Sequence, residues 1–161
     1  MSQVPPTERF FEDYSAGERH EFGSYTMTET EIIGFARQWD PQSFHTDPVA
    51  AQGSNYGGLI ASGWHTTCVM MRLLVENWIS PRASMGSPGV DEIRWHRPVR
   101  PGDTLRVRIT VERVRRSESK PDRGVVFQKN EVLNQADEVV MSSRGMGMYR
   151  CRDAAPPAGG S

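Results

Sequence analysis

The clearest pattern along the chain is an alternation of apolar and polar residues between Leu105 and Glu112. A period of two predicts a β-strand that buries one face and exposes the other. In a later run Ser143, Gly145 and Gly147 share one face, where a helix can approach closely. The pattern predicts an antiparallel sheet, with further strands over residues 21–27, 89–95, 124–134 and 138–150.

A helical pattern precedes the predicted sheet. Ile32, Phe35, Ala36 and Trp39 are apolar at helical spacing, after a capping box formed by Thr28 and Glu31. Proline disfavours helical geometry in the residue before it, so Pro41 predicts that the helix ends near Trp39. Asp40 then stands at the exit of the helix.

A second, longer helix is predicted from Trp64 to Ile79, about 24 Å at 1.5 Å per residue. It is apolar around nearly its whole circumference, and its polar stripe is narrow: His65, Arg72 and Glu76. Such a helix is expected to be buried on most sides. Residues 41–63 form a glycine-containing loop, with a short helical turn at Asp47 and Pro48. The sequence predicts an α+β fold with the sheet wrapped around one long helix.

Composition limits the function classes. The 161 residues carry 19 Lys and Arg against 20 Asp and Glu, so the chain lacks the basic excess of nucleic-acid or membrane-surface proteins. There is no apolar run of membrane-spanning length and no secretory leader pattern at residues 1–8, which predicts a cytoplasmic protein. We expect one domain over residues 1–161, with an ordered core at about 9–151 and loose ends. Neither the two cysteines nor the four histidines show metal-ligand spacing, so no metal is expected.

Asp40 and His45 form the first candidate site. They are five residues apart after a helix, close enough for their side chains to converge on one water molecule, where one accepts a proton and the other donates one. Burial beside Trp39 and Phe44 is expected to raise the pKa of Asp40. The alternative is that Asp40 starts a turn and His45 is an ordinary loop residue.

The glycine-rich run YGGLIASG, residues 56–63, forms the second candidate site. Gly63 directly precedes the long helix, whose first backbone amides are unpaired and lie at the positive end of the helix dipole. Such an amide suits a carbonyl oxygen that gains negative charge. Alternatively, Gly57, Gly58 and Gly63 only permit tight turns and close packing.

Other candidates are less specific. Arg94, Arg97 and Arg100 suit phosphate binding, although this segment also reads as a turn before a strand. The possible nucleophiles require a nearby base that the sequence does not place: Ser54, Ser62 and Cys68.

Taken together, four motifs resemble the MaoC-like acyl dehydratases, which include the R-specific enoyl-CoA hydratases. The likeness extends from about Phe10 to Arg150 and rests on FEDYSAG (residues 11–17), the Asp40 to His45 pair with HTDP, GGLIASG (57–63) and RPVRPGD (97–103). The resemblance implies a hot-dog fold, homodimers with sheets joined edge to edge, and acyl-CoA bound near the subunit interface. The position before the glycine is often histidine in the family and is Ser62 here.

The resemblance also implies a reaction, the reversible hydration of a trans-2-enoyl-CoA to a (3R)-hydroxyacyl-CoA. Asp40 and His45 act as the proton-transfer pair, the Gly63 amide binds the thioester oxygen, and no cofactor is needed beyond the CoA of the substrate. The candidate substrate-binding residues are Tyr56, Gly58, Ser62 and Arg97. The alternatives are a hot-dog acyl-CoA thioesterase and a catalytically silent acyl-binding domain.

Overall fold

Five strands form one antiparallel sheet in the computed structural model, which describes residues 2–154. The strand order is β1-β3-β4-β5-β2, so β1 and β2 are the two edges. The bounds are β1 Arg19–Thr26, β2 Val90–Trp95, β3 Thr104–Arg116, β4 Arg123–Leu133 and β5 Val139–Arg150. Each predicted strand is present, with its ends displaced by a few residues.

The described part of the chain also contains four α-helices: α1 Glu29–Trp39, α2 Ser43–Thr46, α3 Pro48–Gln52 and α4 Gly63–Asn77. The long helix α4 packs against the sheet and contacts β1 and β3. Apolar side chains of β3 that face α4 are at most 1% exposed: Leu105, Val107, Ile109 and Val111. A sheet packed around one long helix is the hot-dog fold, which confirms the expected fold class.

The opposite face of the sheet is charged. Arg108 pairs with Glu131 on β4 at 2.9 Å, and Arg144 on β5 pairs with Glu112 on β3 at 3.1 Å. The alternation of apolar and polar residues along β3 therefore gives one buried apolar face and one face that carries ion pairs, as the period of two predicts.

The predicted bounds of α1 are confirmed, whereas part of its cap is not. The Thr28 hydroxyl accepts a hydrogen bond from the Glu31 N–H at 3.2 Å, as in a capping box. The Glu31 carboxylate, however, accepts from the hydroxyls of Thr28 and Tyr25 instead of the Thr28 backbone amide. The short turn at residue 47 is present as α3, and the Asp47 carboxylate accepts from two of its backbone amides.

The expectation that α4 is buried on most sides is wrong. Four side chains on one face are exposed: Trp64, Cys68, Met71 and Val75. They follow helical spacing and so form one exposed apolar face of α4. The polar stripe predicted for α4 includes His65, but in the structure this side chain is buried. Its ring stacks on Phe35 with centroids 4.7 Å apart. Burial lowers the pKa of His65 below its ordinary value.

The chain ends were expected to be loose. Residues 2–8 include a short 3-10 turn at Pro6–Glu8, and Arg9 donates a hydrogen bond from Nε to the Val4 carbonyl at 3.0 Å. The tail from residue 155 lies outside the described residues, so its looseness stays a prediction. No helix in residues 2–154 is long and apolar enough to cross a membrane.

Candidate active site

Asp40 is the residue that ends α1. Its backbone N–H donates to the Ala36 carbonyl at 2.8 Å, which completes the last turn of the helix, and Pro41 prevents a further turn. The carboxylate is partly buried and is held from two sides. Gln42 Nε2 donates to Oδ1 at 2.8 Å, and the Ser62 hydroxyl donates to Oδ2 at 2.7 Å.

His45 lies on α2, a turn of helix within the segment predicted to be a loop. Four residues are too few for a hydrophobic period to predict this turn. The imidazole is buried, and its Nδ1 is 2.7 Å from the Ile60 carbonyl oxygen. Because a carbonyl only accepts, this contact assigns the proton to Nδ1 and leaves Nε2 available for chemistry.

The two predicted side chains meet. His45 Nε2 is 3.3 Å from Asp40 Oδ2. With Nδ1 protonated, a direct hydrogen bond to the carboxylate forms when the imidazole is in its cationic form. In the neutral form Nε2 is an acceptor, and a water molecule that donates to both groups satisfies them. The arrangement therefore suits water binding and proton transfer.

The pKa of Asp40 lies below its ordinary value, so the expectation of a raised pKa is wrong. Partial burial does raise the pKa, but the hydrogen bonds from Gln42 and Ser62 and the proximity of His45 outweigh it. Trp39, expected to bury the carboxylate, is 67% exposed. The carboxylate is consequently ionised at neutral pH.

Ser62 and Gly63 connect this pair to the long helix. Ser62 is the N-cap of α4: its hydroxyl accepts from the Trp64 N–H at 3.3 Å while it donates to Asp40. Gly63 is the first residue of the helix, where a backbone N–H is outside the helical hydrogen-bond ladder. It also lines a cavity beside the Asp40 and His45 side chains.

This cavity has a volume of about 530 Å³. The aromatic part of its wall consists of Phe44, Trp64 and Trp95. Asp40 and His45 line the same cavity and supply a carboxylate and an imidazole. The remaining lining is Gln42, Tyr56, Ile60, Ala61, Gly63, Thr66, His96, Arg97, Pro98, Val99 and Val140. A mostly apolar cleft with a few convergent polar groups is the usual form of a small-molecule site.

The four candidate substrate-binding residues occupy different places. Tyr56 and Arg97 line the cavity, and Arg97 forms an ion pair with Glu138 at 2.8 Å. Ser62 is buried behind Asp40, and Gly58 lies beside the Arg100 guanidinium. Their contacts with a substrate stay predictions.

Sequence reasoning missed three groups at this site, namely Gln42, Trp95 and the Ile60 carbonyl. Gln42 follows Asp40 by two residues, so a local side-chain contact was a possible signal. Trp95 and Ile60 reach the site through the tertiary fold, and the sequence carries no local sign of either contact. Within residues 2–154, no three His, Cys, Asp or Glu side chains converge in a way that suits a metal ion.

Comparison with known proteins identifies the family. The family model described as "MaoC like domain" matches residues 13–135, more than half of the chain. The chain belongs to this MaoC-like family. The resemblance drawn from the four motifs is therefore confirmed.

Several relatives support the assignment. The chain is 30% identical over 112 residues to Protein MaoC of Klebsiella aerogenes, covering 69% of this chain and 33% of that protein. It is 44% identical over 70 residues to mesaconyl-CoA hydratase of Cereibacter sphaeroides, covering 44% and 20% respectively. The chain thus spans about a third or less of the length of these two relatives.

A solved structure matches over more of the chain. The MaoC-like dehydratase from Rhodospirillum rubrum is 41% identical, with a TM-score of 0.83, and the match covers 89% of this chain and 98% of that one. Of these similar proteins, one is named a hydratase and one a dehydratase.

Proposed function

We propose that this protein hydrates trans-2-enoyl-CoA thioesters reversibly to (3R)-hydroxyacyl-CoA products. The observation that carries the proposal is the 3.3 Å approach of His45 Nε2 to Asp40 Oδ2 beside a cavity that also reaches Gly63. Two proton-transfer groups and an unpaired helix amide around one cleft match the needs of adding water to a double bond conjugated with a thioester.

The reaction begins with a water molecule that replaces the direct contact of the pair: it donates a hydrogen bond to the Asp40 carboxylate and accepts one from Nε2–H of the cationic His45. Its oxygen attacks C3 of the enoyl group while Asp40 takes one of its protons. Electron density moves onto the thioester oxygen, where the Gly63 N–H stabilises the enolate. His45 Nε2 then delivers its proton to C2.

The pair must return to its starting protonation state after each turnover. Asp40 has gained a proton and His45 has lost one, and the two atoms involved are 3.3 Å apart. Transfer of the proton from Asp40 to Nε2 restores the carboxylate and the imidazolium. The Ile60 carbonyl keeps Nδ1 protonated throughout, so Nε2 is the atom that exchanges protons.

Purified protein incubated with crotonyl-CoA tests this proposal. Hydration removes the enoyl absorbance and leaves the thioester intact, and chiral chromatography identifies the 3R alcohol. Release of free CoA, detected with a thiol reagent, would instead indicate a thioesterase. Binding of crotonyl-CoA without turnover would indicate a silent acyl-binding domain.

The acyl group is the least defined part of the substrate. One relative carries the name mesaconyl-CoA hydratase, so short branched and dicarboxylic enoyl-CoAs belong in the first substrate series beside crotonyl-CoA. We propose that the CoA thioester alone is required, because two side chains and one amide account for every step. The cytoplasmic location stays a prediction.

We further propose that two copies assemble through β2 and α4. No strand of residues 2–154 pairs with the outer edge of β2, and Val90 and Trp95 on it are about half exposed. An unpaired edge next to an exposed apolar helix face is a surface that another chain covers readily. Trp64 makes the exposed face of α4 continuous with the edge of β2, because its ring packs edge-on against Trp95 with centroids 5.2 Å apart.

Val75→Glu is expected to shift the protein from dimer to monomer, because it places a charge in the apolar face of α4 that we assign to the interface. Light scattering coupled to gel filtration measures the change. Val49→Glu is the matched control, since Val49 is a 79% exposed valine outside this face. A dimer that survives Val75→Glu at micromolar concentration would place the interface elsewhere.

A further inference from the structure

The indole of Trp95 lies directly on Gly63. A Cβ atom built on Gly63 would overlap Trp95 Cε2 and lie 2.7 Å from Nε1, closer than real Cβ contacts come. Glycine is therefore the residue that fits at position 63 while the indole keeps its place. The ring thus covers the first turn of α4, where the candidate oxyanion amide is.

Several contacts hold the ring in this position. Trp95 Nε1 donates to the Thr67 hydroxyl at 3.4 Å, and that hydroxyl donates to the Gly63 carbonyl at 2.8 Å. The Trp64 ring packs against the indole at an interplanar angle of 74°. The Trp95 backbone pairs with Met141 in the sheet. The Trp95 ring is therefore held by its own strand β2 and by two side chains of helix α4.

The position of the ring has a consequence for the acyl group, and this step rests on the proposed function. If the thioester oxygen accepts from the Gly63 N–H, then C1 and C2 of the acyl group lie within a few ångströms of Gly63. The indole covering Gly63 then becomes the wall beside C2. The substituent on C2 lies in the plane of the enoyl group. With the C2 edge of that plane against the indole, a hydrogen atom fits, whereas a methyl branch meets the ring.

We propose that Trp95 is the specificity-determining residue of the site and that it selects acyl groups without a branch at C2. One added methyl group in a shaped apolar pocket typically changes kcat/KM by about 10- to 200-fold. The indole is anchored on two sides, so it cannot yield as a flexible side chain does.

The kinetic test compares crotonyl-CoA with 2-methylcrotonyl-CoA. We expect the wild-type protein to prefer crotonyl-CoA by about 10-fold or more in kcat/KM, and Trp95→Ala to reduce that preference at least 10-fold. Trp95→Leu keeps the surface apolar and serves as a second variant if Trp95→Ala is poorly folded. Val49→Ala, at a 79% exposed valine outside both the cavity lining and the proposed interface, is the matched control and should leave the preference unchanged.

A double-mutant cycle tests the contact without using activity. Gly63→Ala should lower the unfolding midpoint in the wild-type background, because the new methyl group meets the indole. In the Trp95→Ala background the same change should be neutral or should raise the midpoint, because alanine is the better helix former. Equal effects in both backgrounds would overturn the proposed contact.

The outcomes separate the inference from the function on which it rests. An unchanged preference in Trp95→Ala and Trp95→Leu, with hydration intact, overturns the role of Trp95 and leaves the proposed function standing. Equal kcat/KM values of the wild-type protein on the two thioesters would also overturn the role of Trp95 and leave the proposed function standing. If neither thioester is hydrated, the proposed function fails, while the double-mutant cycle still decides whether the indole dictates glycine at position 63.

Discussion

Asp40→Asn and His45→Gln are each expected to lower the rate of crotonyl-CoA hydration by about 10²-fold or more, with the fold retained. Each change removes one member of the pair that moves protons to and from the substrate, and a positioned acid or base typically contributes about 10² to 10⁴ in rate. Both replacements keep the approximate size of the side chain, so packing around the 3.3 Å contact changes little. Steady-state kinetics and a thermal unfolding curve measure the two effects separately.

A matched control for this prediction is Asp153→Asn. Asp153 is an exposed aspartate outside the cavity lining and outside the proposed interface of β2 and α4, so hydration should stay within about twofold of the wild-type rate. Wild-type rates in both Asp40→Asn and His45→Gln, in a parent with confirmed hydratase activity, would show that a different pair performs the chemistry.

The pH profile of the same enzyme gives a second readout of Asp40. The carboxylate must be ionised to accept a proton, and its pKa is held below the ordinary value by hydrogen bonds from Gln42 and Ser62, so Asp40 stays competent to a lower pH than an ordinary aspartate. Ser62→Ala removes one of the hydrogen bonds that stabilise the ionised form. The Asp40 pKa should then rise, and any acid limb of kcat/KM that reports Asp40 should move to higher pH. His45 is the titratable group that faces the carboxylate, whereas Gln42 and Ser62 are neutral.

The parts of the fold that sequence alone predicts are those set by local pattern. The bounds of α1 follow from Thr28 and Pro41, and the face of β3 that is buried follows from a period of two. The Asp40 and His45 pairing was also predictable, because five residues separate them and a helix end orients the first. Local chemistry and local spacing agree at each of these positions.

The remaining features depend on contacts between distant segments. Partial burial raises the Asp40 pKa, but the hydrogen bonds from Gln42 and Ser62 help to lower it, and the one from Ser62 spans 22 residues. Trp95 reaches Gly63 only because β2 is placed at the sheet edge beside α4. The exposed face of α4 was missed for a related reason, since an apolar residue in a sequence does not reveal whether its own chain or another one covers it.

A second large effect is expected far from the cavity, at the buried ion pair of Arg9 and Glu18. Both residues are 1% exposed, and Arg9 Nη1 is 2.6 Å from Glu18 Oε2. The guanidinium also lies over the Trp78 ring, with 5.6 Å from Cζ to the centroid. Since Trp78 directly follows α4, the pair ties the N-terminal segment to the far end of the central helix.

Arg9→Met is expected to lower the free energy of unfolding by about 3–5 kcal/mol, because it leaves the Glu18 carboxylate buried without its charged partner. Urea unfolding at pH 7 measures the loss. Glu18→Gln should also be strongly destabilising, because it leaves the Arg9 guanidinium buried without its counter-charge and turns an amide NH2 toward Ser15 N–H or Arg9, which both donate to the carboxylate. The exposed pair Arg72 and Glu76, 2.9 Å apart on α4, is the control, and Arg72→Met should cost about 0.5 kcal/mol or less.

The pH dependence of this stability has a defined sign. Burial raises the pKa of Glu18, but hydrogen bonds from Arg9 and His20 outweigh it, so the net pKa is below the ordinary value. A depressed carboxyl pKa contributes stability that is present above the pKa of the unfolded chain, about 4.3, and is lost as pH falls through the folded value. The gap in stability between wild type and Arg9→Met should therefore be large at pH 7 and shrink as the pH falls below about 4. A gap that stays constant from pH 7 to pH 3 would mean that Arg9 acts through its packing on Trp78 alone.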